Sequence, residues 1–435
     1  MAFLRINLDR LKSSASHLCQ SSLVQNVLWM LLAQGVRLLL QSVYFVIIAR
    51  ALGPEQYGKF VGATALVAIL GPFASLGSGN LLVKNVSRSR ALFNEYWGNA
   101  LFVTFASSSV LTLLIVIVGQ TLLPETISPL LVFVLSISDL FFLRIMETAG
   151  QAFQSVHLLI RTAQLNILLG VTRLIASLAL ISFFQKPGAL SWAFLYLTST
   201  AVTALLGVLL VHRMLGIPKL AMSRIQPEIV EGCYFSVSLS AQTVYNDIDK
   251  TMLARLSSLE ATGIYAAAYR LIDVAFVPVR SLLAASYAKF FQHGASGLSG
   301  SMGLAKRLTP FAGAYGVAAG IGLFLFAPVV PYVLGHEYAG AVEALRWLAP
   351  LPFLKALHYF AADTLTGAGF QGLRSVLQLI VAVFNVLVNL WLIPLYSWKG
   401  AAWSSLASDG LLMLSLWIAV AFLFYKQTQK LEGQQ

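Results

Sequence analysis

The chain has 435 residues, of which 58% are hydrophobic and only 11% charged, with a formal net charge of +12. Soluble domains carry about 25% charged residues, so the composition excludes an ordinary soluble protein and points to a protein of the lipid bilayer. The positive charge does not mark a nucleic-acid partner, because Lys and Arg gather in short loops between apolar runs, as they do in membrane proteins.

Apolar runs of roughly 20 residues mark spanning helices. The first, 23–49, is too long for a signal-peptide core. It is followed by 59–81, 96–119, 128–154, 159–184 and 189–212. A second series runs at 232–255, 261–288, 307–334, 341–367, 371–395 and 400–425. The predicted fold is all-α, an integral membrane protein of about 12 transmembrane helices. A linker at 213–231 separates an N-lobe, 23–212, from a C-lobe, 232–425, and the segments 1–22 and 426–435 flank them.

Of the 29 Lys and Arg residues, 16 fall in the termini and the alternate loops of one side. Arg5, Arg10, Lys12, Lys84, Arg213 and Lys289 are among them. Only 5 lie on the other side: Arg50, Lys59, Lys186, Arg255 and Lys399. The positive-inside rule puts both termini and the linker in the cytoplasm.

The phrase "ARALGPEQYGKF", from Ala49, returns 205 positions later as "ARLSSLEATGIY", from Ala254. Without a gap, Ala49, Arg50, Glu55 and Gly58 fall on Ala254, Arg255, Glu260 and Gly263. Both phrases join the first and second helix of a lobe. Lobes with an even number of helices run parallel, the layout of carriers that rock two halves around a midplane site.

Eight basic residues fall inside predicted spans: Arg37, Arg144, Arg173, Lys250, Arg270, Arg280, Arg346 and Lys355. The acids there are Asp139, Glu147, Asp247, Asp249, Asp273, Asp363 and Asp409. A central Arg or Asp costs roughly 2.5–3.5 kcal/mol to insert, so these groups must pair or line a wet cavity. Helical spacing pairs Arg144 with Glu147, Asp247 with Lys250 and Arg270 with Asp273. Arg346 and Arg280 lie close enough to helix ends to snorkel. Arg37 and Arg173 have no acid within four residues. Arginine's planar fork grips phosphate with two hydrogen bonds, so these two suggest a cationic cavity for an anion, with Lys250, Arg270 and Arg144 as further candidates. Asp247, Asp249 and Asp273 have two readings, ion coupling or charge balance for Lys250 and Arg270. Pro350 and Pro352 mark a broken helix. Tyr44, Tyr245, Tyr265 and Tyr269 are the aromatics placed to meet a sugar.

No P-loop, HExxH, CxxC or GxSxG motif occurs, and two cysteines, Cys19 and Cys233, make no metal spacing. The expectation is a transporter rather than an enzyme, with no cofactor and no metal.

"IIARALGPEQYGKFVGATALV", 47–67, "LGPFASLGSGNLLVKNVSRSR", 70–90, and "NDIDKTMLARLSSLEATGIYAAAYRL", 246–271, resemble polysaccharide flippases of the Wzx O-antigen type, in the MOP (multidrug/oligosaccharidyl-lipid/polysaccharide) superfamily. The resemblance runs along the whole chain. It implies a V-shaped, two-lobed transporter in the bacterial inner membrane. Its substrate would be an undecaprenyl-pyrophosphate-linked O-antigen or exopolysaccharide unit, passed to the periplasmic leaflet by alternating access. It implies a polysaccharide polymerase and glycosyltransferases as partners, and no nucleic acid. The rival reading is a MATE-like exporter of organic cations driven by H+ or Na+, which would want an acidic or apolar cavity with few unpaired arginines.

Overall fold

The computed structural model describes residues 22–295 and 297–432. The expected N-terminal cytoplasmic segment, with Arg5, Arg10 and Lys12, lies outside the described residues. Among the described residues every regular element is helical.

The first half comprises α1 (Ser22–Ser75), α2 (Ser78–Val86), α3 (Phe93–Leu122), α4 (Pro129–Ser136), α5 (Leu143–Ser155), α6 (Leu159–Phe183) and α7 (Ala189–Met214). The second comprises α8 (Met222–Leu256), α9 (Leu259–Ala275), α10 (Val277–Gly294), α11 (Leu298–Phe326), α12 (Val330–Leu334), α13 (Gly340–Leu348), α14 (Leu351–Gly367), α15 (Gln371–Tyr396) and α16 (Trp398–Glu432). Eight helical stretches among the described residues are long and apolar enough to cross a membrane. The expected spans 23–49 and 59–81 share one bent helix, α1. Those at 232–255, 261–288 and 341–367 fall on helices α8, α9–α10 and α13–α14, which are not among those eight.

The bend in α1 occupies a single residue. Gly53 adopts φ 67°, ψ 170°, a left-handed backbone that glycine takes at little cost, and Pro54 starts the second arm, where a missing N–H does no harm. At the matching corner of the second half, Ser258 stands 205 positions after Gly53. Its hydroxyl accepts from the Ala261 N–H at 3.1 Å and caps α9.

The two corners pack on each other. A side chain on Gly58 would collide with the Leu259 carbonyl, and one on Gly263 with the Pro54 carbonyl. The offset is again 205 for both partners, so the contact is reciprocal, as two parallel repeats facing across an axis require. The second arm of α1 continues down α8. The Ser240 hydroxyl donates to the Ile69 carbonyl at 2.8 Å and that of Ser236 to the Pro72 carbonyl at 2.9 Å. These hydroxyl-to-carbonyl bonds suit a membrane interior, where little water is at hand for backbone carbonyls near a helix end.

Local breaks set the remaining path. Between α4 and α5 a wide π-helical turn spans Ile137–Phe142. Pro350 and Pro352 separate α13 from α14, as their spacing predicts. Gly316 and Gly320 of α11 press against that break, where a Cβ would meet Phe353 and the Ala349 carbonyl. The connection between the halves is short. Residues 215–221 form the loop, and the rest of the expected linker, to residue 231, opens α8. The Asn99 side chain pins the loop through both N–H and C=O of Ala221, at 2.9 and 3.0 Å.

Candidate functional site

A cavity in two chambers runs beside the second arm of α1. The upper chamber, about 340 Å³, lies toward the Gly53 corner. The lower, about 400 Å³, lies toward Ser75 and α2. Ala68 and Asp247 belong to both walls, so the chambers adjoin.

Five helices build the upper chamber. The first arm of α1 brings Gln41 and Tyr44, its second arm Tyr57, Phe60 and Thr64, α6 brings Arg173, and α7 brings Trp192 and Tyr196. Opposite them stand Asp247 and Lys250 of α8 and Tyr269, Arg270 and Asp273 of α9. Phe60, Trp192 and Tyr196 form an edge-on aromatic cluster, with ring centroids 5.4 to 6.1 Å apart. This cluster keeps the wall stiff and places the negative face of Tyr196 under Arg173, 4.3 Å from its guanidinium carbon. Behind it, the Tyr196 hydroxyl points at Asp139 at 3.5 Å. Asp139 is buried within the π-helical turn.

Arg173 Nε and Nη2 are buried and have no hydrogen-bond partner among the described residues. A buried guanidinium N–H without an acceptor is costly, and both atoms belong to a side chain that lines the chamber. Arg270 likewise has no ion pair or hydrogen bond to a side chain among the described residues. Its expected partner Asp273 faces Arg280 instead, at 3.7 Å, because the chain breaks between α9 and α10 at Phe276 and lets Arg280 reach back. That leaves Arg270 turned to the cavity.

Lys250 is balanced. It donates to Asp247 at 2.8 Å, lies 3.5 Å from Asp249, and sits 4.2 Å from the centre of the Tyr269 ring. The spacing predicts the Asp247 pair and the structure contains it. The other sequence candidates are distributed differently. Arg144 is in the lower chamber, paired with Glu147 at 2.7 Å. Arg37 is half-buried on the first arm of α1 and lines neither chamber. Arg173, Arg270 and Arg280, all of its own sign, are among the groups that act on it electrostatically.

Of the three acids read as coupling candidates, Asp247 and Asp273 line the upper chamber and Asp249 does not. Asp249 is buried in the second half, where its carboxylate accepts from the hydroxyls of Tyr265 and, at 3.2 Å, Ser405. A neighbouring buried group joins Tyr245 and His358 to Asp409, with the imidazole 2.9 Å from the carboxylate. Lys355 donates to the Tyr269 hydroxyl at 2.6 Å. Tyr245 and Tyr265 are therefore engaged in bonds inside the second half, whereas Tyr44 and Tyr269 reach the cavity. Tyr57, Phe60, Trp192 and Tyr196 are wall residues that the sequence gives no reason to separate from packing aromatics.

This fold is that of the MOP superfamily of transporters. A multidrug resistance MATE family transporter of that superfamily, in its inward-facing conformation, superposes with a TM-score of 0.72 at 15% identity, over 91% of this chain and 99% of that one. The lipid II flippase MurJ, in an inward closed conformation, gives a TM-score of 0.69 at 12% identity, over 90% and 87%. A MOP transporter from Pyrococcus furiosus, described as having reversed polarity in its binding pocket, gives 0.63 at 16%, over 91% and 95%. A family model described as polysaccharide biosynthesis protein matches residues 23–287, more than half of the sequence. The chain belongs to that family. A search of curated proteins finds no match.

Proposed function

We propose that the protein is a flippase. It carries an undecaprenyl-pyrophosphate-linked oligosaccharide, an O-antigen or exopolysaccharide unit, from the cytoplasmic to the periplasmic leaflet by alternating access. Family membership supports a role in polysaccharide biosynthesis. The observation that carries the reading is the buried guanidinium of Arg173, whose Nε and Nη2 lack acceptors among the described residues, beside Arg270, whose neighbour Asp273 also faces Arg280. A pyrophosphate supplies charged oxygens to both. In a site shielded from water, such charge-assisted bonds are about twice as strong as neutral ones, and they replace the hydration that the phosphates give up.

Two parallel lobes of six helices, crossing twelve times with both termini in the cytoplasm, fit this task. Asp247 and Asp273 are the acids placed to exchange a cation with the substrate. A polymerase and glycosyltransferases belong upstream and downstream of the step. An exporter of organic cations is the rival, and an upper chamber with three basic groups, Arg173, Lys250 and Arg270, against two acids, Asp247 and Asp273, disfavours it.

The test is transport in sealed vesicles of a labelled undecaprenyl-pyrophosphate oligosaccharide, comparing wild type with Arg37→Ala and Arg173→Ala at matched protein levels. Wild type moves the lipid, and Arg173→Ala slows it severely. If wild type moves no such lipid and instead extrudes an organic cation against an ion gradient, the exporter reading replaces this one.

A further inference from the structure

The two chambers differ in chemistry, and only one suits phosphate. The upper chamber sets Arg173, Lys250 and Arg270 among aromatic rings. The lower chamber has no aromatic residue in its wall, and its one basic group, Arg144, is paired with Glu147. Its acids are Glu147 and Asp247, and the rest of its polar wall is neutral, with Asn80, Thr148, Gln151 and Asn246 among it. Amides and hydroxyls both donate and accept hydrogen bonds, as sugar hydroxyls do.

The positions of these groups are fixed by the backbone. The Arg144 guanidinium occupies the space where a side chain on Gly71 of α1 would stand. The Gln151 amide occupies the corresponding space at Gly79 of α2 and donates to Asn80 Oδ1 at 3.2 Å. Thr148 is tied back to the Arg144 carbonyl at 2.8 Å. Arg144 Nε is buried with no hydrogen-bond partner among the described residues, a donor left over after the ion pair with Glu147 is made.

We propose that the lower chamber is a sugar subsite. It holds the sugar attached directly to the pyrophosphate while the upper chamber holds the phosphates, and Gln151 and Asn80 select that sugar. The proposal rests on the flippase reading. The chambers adjoin at Ala68 and Asp247, so a head group spanning them would set its phosphates beside Arg173 and its sugar beside Gln151. A volume of about 400 Å³ is at the small end of ligand pockets, which run about 300–1,000 Å³, so the chamber reads the first sugar and not the whole repeat unit. A site built to hydrogen-bond a hydroxyl rejects a ligand that lacks it far more strongly than an apolar pocket does.

The test measures binding to the full chain in lipid nanodiscs with three probes: undecaprenyl pyrophosphate, the same lipid carrying one hexose, and the same lipid carrying one N-acetylhexosamine. Wild type binds at least one sugar-bearing lipid about tenfold or more tighter than the bare lipid. Gln151→Leu and Asn80→Ala lower that preference by about fivefold or more, the effect of one or two lost hydrogen bonds. Arg173→Ala weakens all three lipids and leaves the preference in place. Asn80 is exposed to the chamber, so Asn80→Ala reports even where Gln151→Leu does not fold, and a drop in preference with either variant supports the subsite. Equal binding of bare and sugar-bearing lipids by wild type, or a preference that neither variant moves, overturns it. If wild type binds none of the three, the flippase reading fails and takes the subsite with it.

Discussion

Arg173 meets three demands at once: it sits midway along α6, it lies on the Tyr196 ring, and it keeps two N–H groups unspent. Its charge and its shape are separable by substitution. Arg173→Ala removes hydrogen bonds to a charged group, each worth about 1.5–3 kcal/mol, so transport should fall by about tenfold to a hundredfold. Arg173→Lys keeps the charge and loses the fork, so it should lie between the two in the same vesicle assay. A lysine variant as fast as wild type would mean that charge alone suffices and that no two-pronged grip exists. Asp249 makes the opposite case, a charge the structure already satisfies. Tyr265→Phe removes one of its donors and should cost about 1–3 kcal/mol of stability, read as a lower melting temperature, with lipid affinity unaltered. If lipid affinity drops and the melting temperature does not, Asp249 belongs to the transport machinery instead. The sequence exposes the charged residues well, because a charge in an apolar run is conspicuous, and Arg173, Lys250 and Arg270 reach the cavity as expected. It does not reveal which charges pair. Spacing along one helix suggests Asp273 for Arg270, but the break at Phe276 gives Asp273 to Arg280. The lower chamber leaves almost no trace, because Asn80 and Gln151 are neutral residues from separate helices and only the fold joins them.

At the scale of elements, α1 and α9 meet backbone to backbone at the corner beside Gly53. Gly58 and Gly263 have no room for a Cβ against Leu259 and Pro54. A larger residue there must push the two arms apart, and overpacking of this kind costs about 1–3 kcal/mol. Gly58→Val and Gly263→Val should therefore destabilise the closed corner by similar amounts, because each breaks the same kind of contact on the opposite repeat. Comparable falls in melting temperature would fit a reciprocal contact. A large effect of one substitution beside none from the other would mean that the two corners are not equivalent. The repeat is legible in the sequence as a weak likeness of two hairpins, and it gains weight from structure because the offset of 205 holds for the contacting residues too. The hairpins themselves are less legible. A run of Gly, Pro and polar residues reads as a loop, yet Gly53 alone makes the turn while the residues after it stay helical.

For the whole molecule, the question is which side of the membrane the cavity faces. The lower chamber lies next to α2, close to Lys84, Arg88 and Arg90, which the charge bias puts in the cytoplasm. The closed Gly58–Gly263 corner lies at the far end, near Arg50 and Arg255. A single cysteine in place of Asn80, in a chain with Cys19 and Cys233 replaced by serine, should react with a membrane-impermeant thiol reagent added from the cytoplasmic side and resist it from the other. A cysteine in place of Thr64, in the upper chamber, should behave alike, because the chambers adjoin at Ala68 and Asp247. Adding Gly58→Val should then raise labelling of the Thr64→Cys protein from the periplasmic side, since the wedge shifts the balance toward the state open there, and a shift of about 1.4 kcal/mol changes that population tenfold. Equal labelling of Thr64→Cys from both sides without the valine would show that the glycine corner does not seal the cavity. Labelling from the periplasmic side alone would invert the orientation, and with it the direction in which the lipid is carried.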